Sequence, residues 1–279
     1  MALLTNLQVS DDLLARYTTL IYDVTGIRMS PQKKTLLSNR VRRRLRETGI
    51  GSFEQYYATL RRLKRTDPEW AAFLQEITTH ETYLFRDEMH WNWLRNQYLP
   101  ELHQAAKSGA RPRSLRVWSA ACSTGDEAFT IAACIANDLP CFEQWQIKIV
   151  GTDIGIETVK QAATATFGSR AMRLVPAEIR DRWFLQLKDT ELWQPHPTLR
   201  RMTAFRQHNL LEPLHEPSFD LIVLKNVLIY FDTASKQRVV ENLRLMMRPG
   251  TTLIAGAAEG ITDLVKDLRR SLPWLYSKA

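Results

Sequence analysis

The residues best suited to chemistry lie in Val117–Ile131, VWSAACSTGDEAFTI. Val117, Trp118 and Ala120–Ala121 are apolar and uninterrupted by proline, which predicts a buried strand. Ser123, Thr124 and Gly125 follow as turn and cap residues. Asp126 stands three residues after Ser123, and Glu127 three after Thr124, the spacing of a capping box that opens a helix. Such a helix start aims backbone N–H groups and the positive end of its dipole at whatever fills the turn. Two carboxylates in its first turn can also hold a cationic group such as an α-ammonium. A strand–turn–helix that favours a zwitterion points to a site for S-adenosylmethionine (SAM). The same spacing also serves an ordinary capped helix.

Two more strand ends carry suitable groups, and open parallel sheets bind ligands at such ends, near the topological switch point. Gly151-Thr152-Asp153 ends one. A carboxylate there can accept both hydroxyls of a ribose, or can cap the helix that follows. Lys225-Asn226-Val227-Leu228-Ile229-Tyr230 ends the other. The dinucleotide fingerprint Gly-x-Gly-x-x-Gly is absent, because the first turn has only Gly125. That argues against NAD and suits SAM, which brings no pyrophosphate.

The elements that must position these groups follow from periodicity and punctuation. Residues 10–99 read as all-helical. Ser10-Asp11-Asp12 caps a helix through Val24, with Gly26 after it. Ser30-Pro31 opens a second that stops at Gly49, with Leu37, Val41 and Leu45 as its apolar stripe. Ser52 and Asp67-Pro68 open a third and a fourth, and helix resumes from Asp87 to about Lys107. After the polar loop Lys107–Arg113, strands and helices alternate: Leu115–Ala121, helix 126–138, Ile147–Asp153, helix 156–165, Phe219–Lys225, helix 233–247 and Thr251–Ala257. This predicts an α/β, doubly wound sheet. Residues 176–207 break the pattern and predict a small antiparallel insertion.

Composition narrows the class. Hydrophobic residues are 44% and charged residues 24%, normal for a soluble globular protein. No apolar run approaches the roughly 20 residues of a membrane span, and the first residues lack a secretory signal pattern. Cys122, Cys134 and Cys141 are odd in number and lack metal-site spacing, so they read as reduced thiols in a cytoplasmic protein. Residues 1–65 hold thirteen Lys/Arg and five Asp/Glu. Their formal charge thus equals the +8 of the whole chain, and the remainder sums to zero. A basic module of this kind faces an acidic partner.

The motifs together resemble those of the chemotaxis receptor glutamate O-methyltransferases, the CheR family. They are Thr82-x-x-Phe85-Arg86-Asp87, Trp118-Ser119-Ala120-Ala121-Cys122-Ser123-Thr124-Gly125, Gly151-Thr152-Asp153-Ile154, Asn209-Leu210-Leu211 and Asn226-Val227-Leu228-Ile229-Tyr230-Phe231. The likeness covers nearly the whole chain. It implies an all-α N-terminal domain over residues 1–90. A Rossmann-like, SAM-dependent methyltransferase domain over 91–279 follows, carrying the β-subdomain at about 176–207. It implies that His80, Thr82 and Arg86 reach SAM, that Asp126 or Glu127 holds its methionine end, and that Asp153 holds the ribose. Asn209-Leu210 and Asn226-Val227 would flank the adenine and the strand end. Arg40, Arg42, Arg43, Arg44 and Arg46 would dock on the acidic cytoplasmic helices of a methyl-accepting receptor. His80 stands where the family usually has Asn, Asp126-Glu127-Ala128-Phe129 where it has Glu-Glu-Pro-Tyr, Lys225 where it has Arg, and Ala257-Ala258 where it has His-Ser.

The implied reaction esterifies a glutamate side chain with the methyl group of SAM. The carboxylate is already ionised at neutral pH, its ordinary pKa being about 4.3, so no general base is required. Tyr230 is the candidate for orienting it, with Arg86 beside it and Arg111 or Arg113 as electrostatic assistance. A monomer without metal and without membrane insertion is expected. Two other readings compete: a methyltransferase for nucleic acid or another protein, and a SAM-binding regulatory module without turnover. The Asn226–Tyr230 segment lacks the prolines that amino-methylating nucleic-acid enzymes carry there, which disfavours nucleic acid as partner.

Overall fold

The computed structural model describes residues 8–279. Four helices come first: α1 (Asp11–Thr25), α2 (Lys34–Thr48), α3 (Phe53–Arg62) and α4 (Pro68–Ile77). Their caps are the residues that mark them in sequence. The Ser10, Ser52 and Asp67 side chains accept N–H groups of the first turns, and Gly26 and Gly49 end α1 and α2 with φ near 70°. A 3₁₀ turn at Pro31–Lys33 precedes α2. Leu37, Val41 and Leu45 face inward against Tyr17, Tyr56, Trp70 and Phe73 in one core. That core draws on Val9–Ile77, whereas Leu84 and Phe85 pack into the core of the α/β part. The expected boundary at residue 90 thus counts Leu84 and Phe85 with the helices, while their side chains join the α/β core.

The helix expected over 87–107 is α5 (Glu88–Trp93) and α6 (Leu99–Lys107), joined by a π turn at Leu94–Tyr98. The Leu99 N–H reaches back to Leu94 O just before Pro100, which has no N–H to offer. Then come β1 (Ser114–Ala120), α7 (Asp126–Asp138), β2 (Gln146–Asp153) and α8 (Ile156–Thr164). The insertion follows as β3 (Phe167–Gly168), α9 (Ser169–Met172), α10 (Ala177–Trp183), β4 (Phe184–Gln186), β5 (Leu192–Pro195) and α11 (Pro197–Met202). The chain ends with β6 (Thr203–Gln207), β7 (Phe219–Leu224), α12 (Thr233–Leu245), β8 (Met247–Ala255), β9 (Arg269–Leu272) and β10 (Leu275–Ser277).

Seven strands form the main sheet in the order β6-β2-β1-β7-β8-β10-β9, parallel except for the antiparallel β9–β10 hairpin. The order reverses between β1 and β7, so the crevice opens at the carboxyl ends of those strands. The small antiparallel sheet, β3-β5-β4, starts earlier than residue 176. Thr203–Phe205, expected inside the insertion, instead begins β6, which pairs parallel with β2. Short β-prone runs look alike in sequence whichever sheet they join. Gly151 permits this pairing, since a Cβ there would lie 2.6 Å from the Phe205 ring. Helix α7 is apolar all round because it is covered twice, by the sheet and by the insertion, with Phe129 against Phe167 and Phe205.

The two domains meet along a bonded seam. Asn209 Nδ2 donates to Val24 O at 2.7 Å, Tyr22 Oη to Asp232 at 2.8 Å, and the Arg28 N–H to Tyr230 O at 2.9 Å. Ile27 bridges Phe231. Gly26 sits so close to α12 that a Cβ would lie 2.9 Å from Ser235 Oγ. On the other side the Gln75 side chain accepts both the N–H and the hydroxyl of Thr158. No helix among the described residues is long and apolar enough to cross a membrane.

Candidate functional site

A cleft with about 1220 Å³ of space, partly open to solvent, lies between the domains at the ends of β1, β2 and β7. His80, Thr82, Arg86, Glu127, Asp153, Asn209, Leu210, Asn226, Val227 and Tyr230 all line it, as does Arg40. Asp126 does not.

The turn after β1 differs from a capping box. Ala121, Ser123 and Gly125 all have positive φ, and α7 starts at Gly125 without a side-chain cap. The left-handed residues rotate Ser123 toward the end of β2. Its N–H donates to Asp153 Oδ2 at 2.9 Å and its hydroxyl to His80 O at 2.9 Å. Thr124 Oγ1 donates to Asp126 at 2.6 Å, which turns that carboxylate inward, and burial raises its pKa. Glu127 alone of the pair faces the cleft. Its carboxylate accepts Ser119 Oγ at 2.7 Å and lies 3.7 Å from Lys225 Nζ. Burial pushes its pKa up, and Lys225 opposes that shift.

Asp153 also accepts the Gly155 N–H at 3.0 Å. It thus closes the turn before α8 and faces the cleft, but it does not cap that helix, whose N-cap is Gly155 without a side-chain cap. The His80 ring lies 3.7 Å from it, and burial lowers the imidazole pKa against the pull of that carboxylate. The His80 Nε2 is shared with Thr78 Oγ1 at 2.6 Å, so the Asp153 carboxylate is the group that can receive hydroxyls of a ligand. His208, also in the wall, has a buried Nε2 without a partner among the described residues and a pKa lowered to about 4 by burial.

The loop through Thr82–Asp87 holds Phe85 and Asp87 at φ near 60°. Each such conformation costs on the order of 1–3 kcal/mol and persists only where neighbours impose it. Here the Phe85 N–H donates to Thr130 Oγ1, and Trp91 Nε1 to Arg86 O. Lys225, only 2% exposed, donates to Arg86 O at 3.1 Å, pairs with Asp87 at 3.3 Å and lies over the Trp91 ring. Burial favours the neutral form of Asp87, but Lys225 and Asn226 outweigh it and hold its carboxyl below the usual range. Asn209 spends its side chain on the interdomain seam and on the Leu211 N–H, so only its remaining surface faces the cleft.

The segment after β7 is shaped by Glu259. Its carboxylate accepts the N–H groups of Asn226 and Leu228 and is 1% exposed. Asn226 has φ 59° and passes its amide to Asp87 at 3.2 Å. Tyr230 is thereby carried to the cleft mouth, half-buried, with Lys33 over its ring at 5.7 Å. Leu36 and Arg40 of α2, with Lys33 in the 3₁₀ turn before it, form the opposite lip.

The basic residues of α2 divide. Arg44 is buried and bonded to Glu69 at 3.0 and 2.7 Å, with Glu47 and the Tyr56–Glu69 bond beside it. It is a core ion pair and is withdrawn from the docking set. Arg40 binds Ile77 O and Thr79 Oγ1 and is half-buried, so it belongs to the cleft wall, not to an open face. Arg42 bonds Asn39, Arg43 pairs with Glu76 at 3.2 Å, and Arg46 is exposed. Arg111 and Arg113 lie at the far end of the sheet, on Asp220 and Gln144, and are withdrawn from the chemistry.

Lys225, Glu259 and Ser119 were not singled out as site residues. Lys225 and Glu259 act from strand ends 34 residues apart in number, and a lone lysine or glutamate there carries no spacing signal. The donor set nonetheless fits SAM. One carboxylate can take an ammonium, another a pair of hydroxyls, and apolar walls at Ile154 and Leu210 can take a flat ring. Among the described residues no cluster could hold a metal ion.

Comparisons with known proteins identify the family. Residues 80–272 match the family described as CheR methyltransferase, SAM binding domain, and residues 12–78 match its all-alpha domain. The chemotaxis protein methyltransferase 2 of Pseudomonas aeruginosa is 31% identical over 263 residues, 93% of this chain and 90% of that protein. The chemotaxis protein methyltransferase of Salmonella typhimurium is 30% identical over 279 residues, 98% and 92% of the two chains. That of Borreliella burgdorferi is 28% identical over 276 residues, 98% and 96%. With a helical domain and a SAM-binding domain matched in order along nearly its whole length, the chain belongs to the CheR methyltransferase family.

Proposed function

We propose that this enzyme transfers the methyl group of SAM to glutamate side chains on the acidic cytoplasmic helices of chemotaxis receptors, giving methyl esters. The observation that carries this reading is the position of α2. The helix that concentrates the chain's basic charge lends Leu36 and Arg40 to one lip of the cleft, and Lys33 just before it lies over the Tyr230 ring. An acidic helix lying along α2 brings a carboxylate to that tyrosine. The enzyme acts where those receptor helices are, in the cytoplasm.

SAM supplies a methyl group on a sulfonium centre. Glu127 would hold its ammonium, Asp153, with His80 beside it, its ribose hydroxyls, and the Thr82–Arg86 loop would close over it. The target glutamate is ionised at neutral pH, so no residue need remove a proton. Tyr230 donates a hydrogen bond to the carboxylate oxygen that does not react and so fixes the direction of the other. SAM and a receptor helix seated on the lips of the cleft would exclude water, which matters because opposite charges are consumed together in the reaction.

Receptor incubated with methyl-labelled SAM and the enzyme should take up label that mild alkali releases as methanol. Label that survives alkali would assign the methyl group to nitrogen or to nucleic acid and reject esterification.

A further inference from the structure

We propose that Tyr83 and Arg173 are positioning residues for SAM: their stack fixes the loop that presents Thr82 and Arg86 to the cleft. The proposal rests on the placement of SAM against those two residues. The Arg173 guanidinium lies 3.5 Å from the centroid of the Tyr83 ring, and that of Arg86 lies 5.6 Å from it. Around the stack, Arg170 pairs with Glu81 at 2.6 Å, and the Leu84 N–H donates to Ala171 O at 3.1 Å. Arg173 also donates to Arg170 O at 2.7 Å, which ties the two arginines together. The whole of α9, the first helix of the insertion, is thus laid along the loop.

The loop needs such a hold. Phe85 and Asp87 have positive φ. Thr130 of α7 holds the middle of the loop, and Lys225, Trp91 and Asn226 hold its end at Arg86 and Asp87. The insertion holds its start, around Tyr83. Of its contacts, the Glu81–Arg170 pair is 62% and 79% exposed and contributes little. The Tyr83 ring is half-buried beneath a planar guanidinium at van der Waals distance, the geometry in which such stacking is strongest. The contact needs the ring and not its hydroxyl. It also sets Arg86, whose side chain donates to Glu81 O at 2.9 Å within the same loop.

The test is calorimetric titration of S-adenosylhomocysteine into full-length variants, with melting curves alongside. Tyr83→Leu and Arg173→Ala should each raise Kd about three- to tenfold. The pair together should do no more than the larger single change, because both remove one contact. Tyr83→Phe should stay within about twofold of the parent, and Arg173→Lys should fall between. KM for SAM should rise in step while KM for receptor and the melting temperature hold. Arg173 is exposed, so its variant tests the idea even where Tyr83→Leu folds poorly. Unchanged affinity in Tyr83→Leu and Arg173→Ala overturns the proposal. In that event Arg86→Ala separates the causes: weaker binding leaves the placement of SAM standing, and unchanged binding removes both.

Discussion

Lys225 Nζ lies 3.7 Å from the Glu127 carboxylate, in the wall between the ends of β1 and β7. A lysine at 2% exposure that also contacts Asp87, Arg86 O and the Trp91 face is a fixed charge. It joins the strained loop, the start of α7 and the end of β7 at one atom. Glu127 can hold an ammonium only when ionised. Burial raises its pKa, and Lys225 is the principal force against that.

Lys225→Met should therefore weaken S-adenosylhomocysteine binding in a pH-dependent way. Without the cation the Glu127 pKa rises further, so the ionised fraction falls sooner as pH drops. The loss should be larger at pH 6 than at pH 8, which calorimetry at the two values reads directly. An equal loss at both would show that Lys225 acts by shape alone.

Asp153→Asn should weaken the same ligand by about 1–3 kcal/mol, the range for lost charged hydrogen bonds. Asn keeps an acceptor for Ser123 or Gly155, so the melting temperature should move less than in Asp153→Ala. Unchanged affinity in a folded Asp153→Asn protein would take that carboxylate out of the site.

The α2 arginines should separate by function. Arg44→Ala should destabilise by about 2–3 kcal/mol in denaturant titrations, since it strands Glu69. Reversing Arg43 and Arg46 to Glu should leave stability and SAM affinity nearly as they were and abolish receptor methylation. Methylation by the parent should also fall with added salt, because exposed charges are screened. Full activity after reversal would leave these two arginines with solubility alone.

Tyr230→Phe should slow methyl transfer tenfold to a thousandfold, about 1–4 kcal/mol, with SAM affinity little changed. Single-turnover rates at saturating SAM measure this. An unaltered rate would remove the hydroxyl from the chemistry without touching the esterification reading.

Stability should depend on pH through two buried imidazoles. His90 and His208 have pKa values lowered to about 4 from an ordinary 6.5, mainly by burial. Between those values the unfolded chain binds more protons than the folded one. Stability should thus be full above about pH 6.5 and fall as pH drops toward 4. His90, edge-on to Trp274 at 4.5 Å with neither ring nitrogen bonded among the described residues, should be replaceable by Phe. The slope of stability against pH should then lessen by about one proton. An unchanged slope would mean that His90 does not titrate with unfolding.

Much of this was legible in the sequence because local chemistry wrote it. Ser10, Ser52, Asp67, Gly26 and Gly49 mark helix ends that depend only on nearby backbone. The strand ends at Ala120, Asp153 and Lys225 follow from apolar runs meeting turn residues. What escaped is set by distant partners. Asp126 and Glu127 have equal claims by spacing, and only left-handed backbone at Ala121 and Ser123 turns one inward. Arg44 stands among four similar arginines, and only Glu69 on α4 makes it part of the core. Thr203–Gln207 joins the main sheet because β2 offers an open edge there, which composition cannot signal.

The bridge from Ile27 to Phe231, with the bond from Arg28 to Tyr230 O, has a consequence for how such an enzyme can be altered. The tyrosine's own backbone is finished by a strand-like partner from the helical domain. A fragment that keeps every SAM-facing residue but begins after α4 would lose that partner, and its tyrosine would no longer be held at the rim. Grafting a foreign helical domain to retarget the catalyst would face the same obstacle. On the roles proposed for Tyr230 and the basic helix, choice of substrate and competence to react are a single inheritance, written into one short stretch of shared backbone.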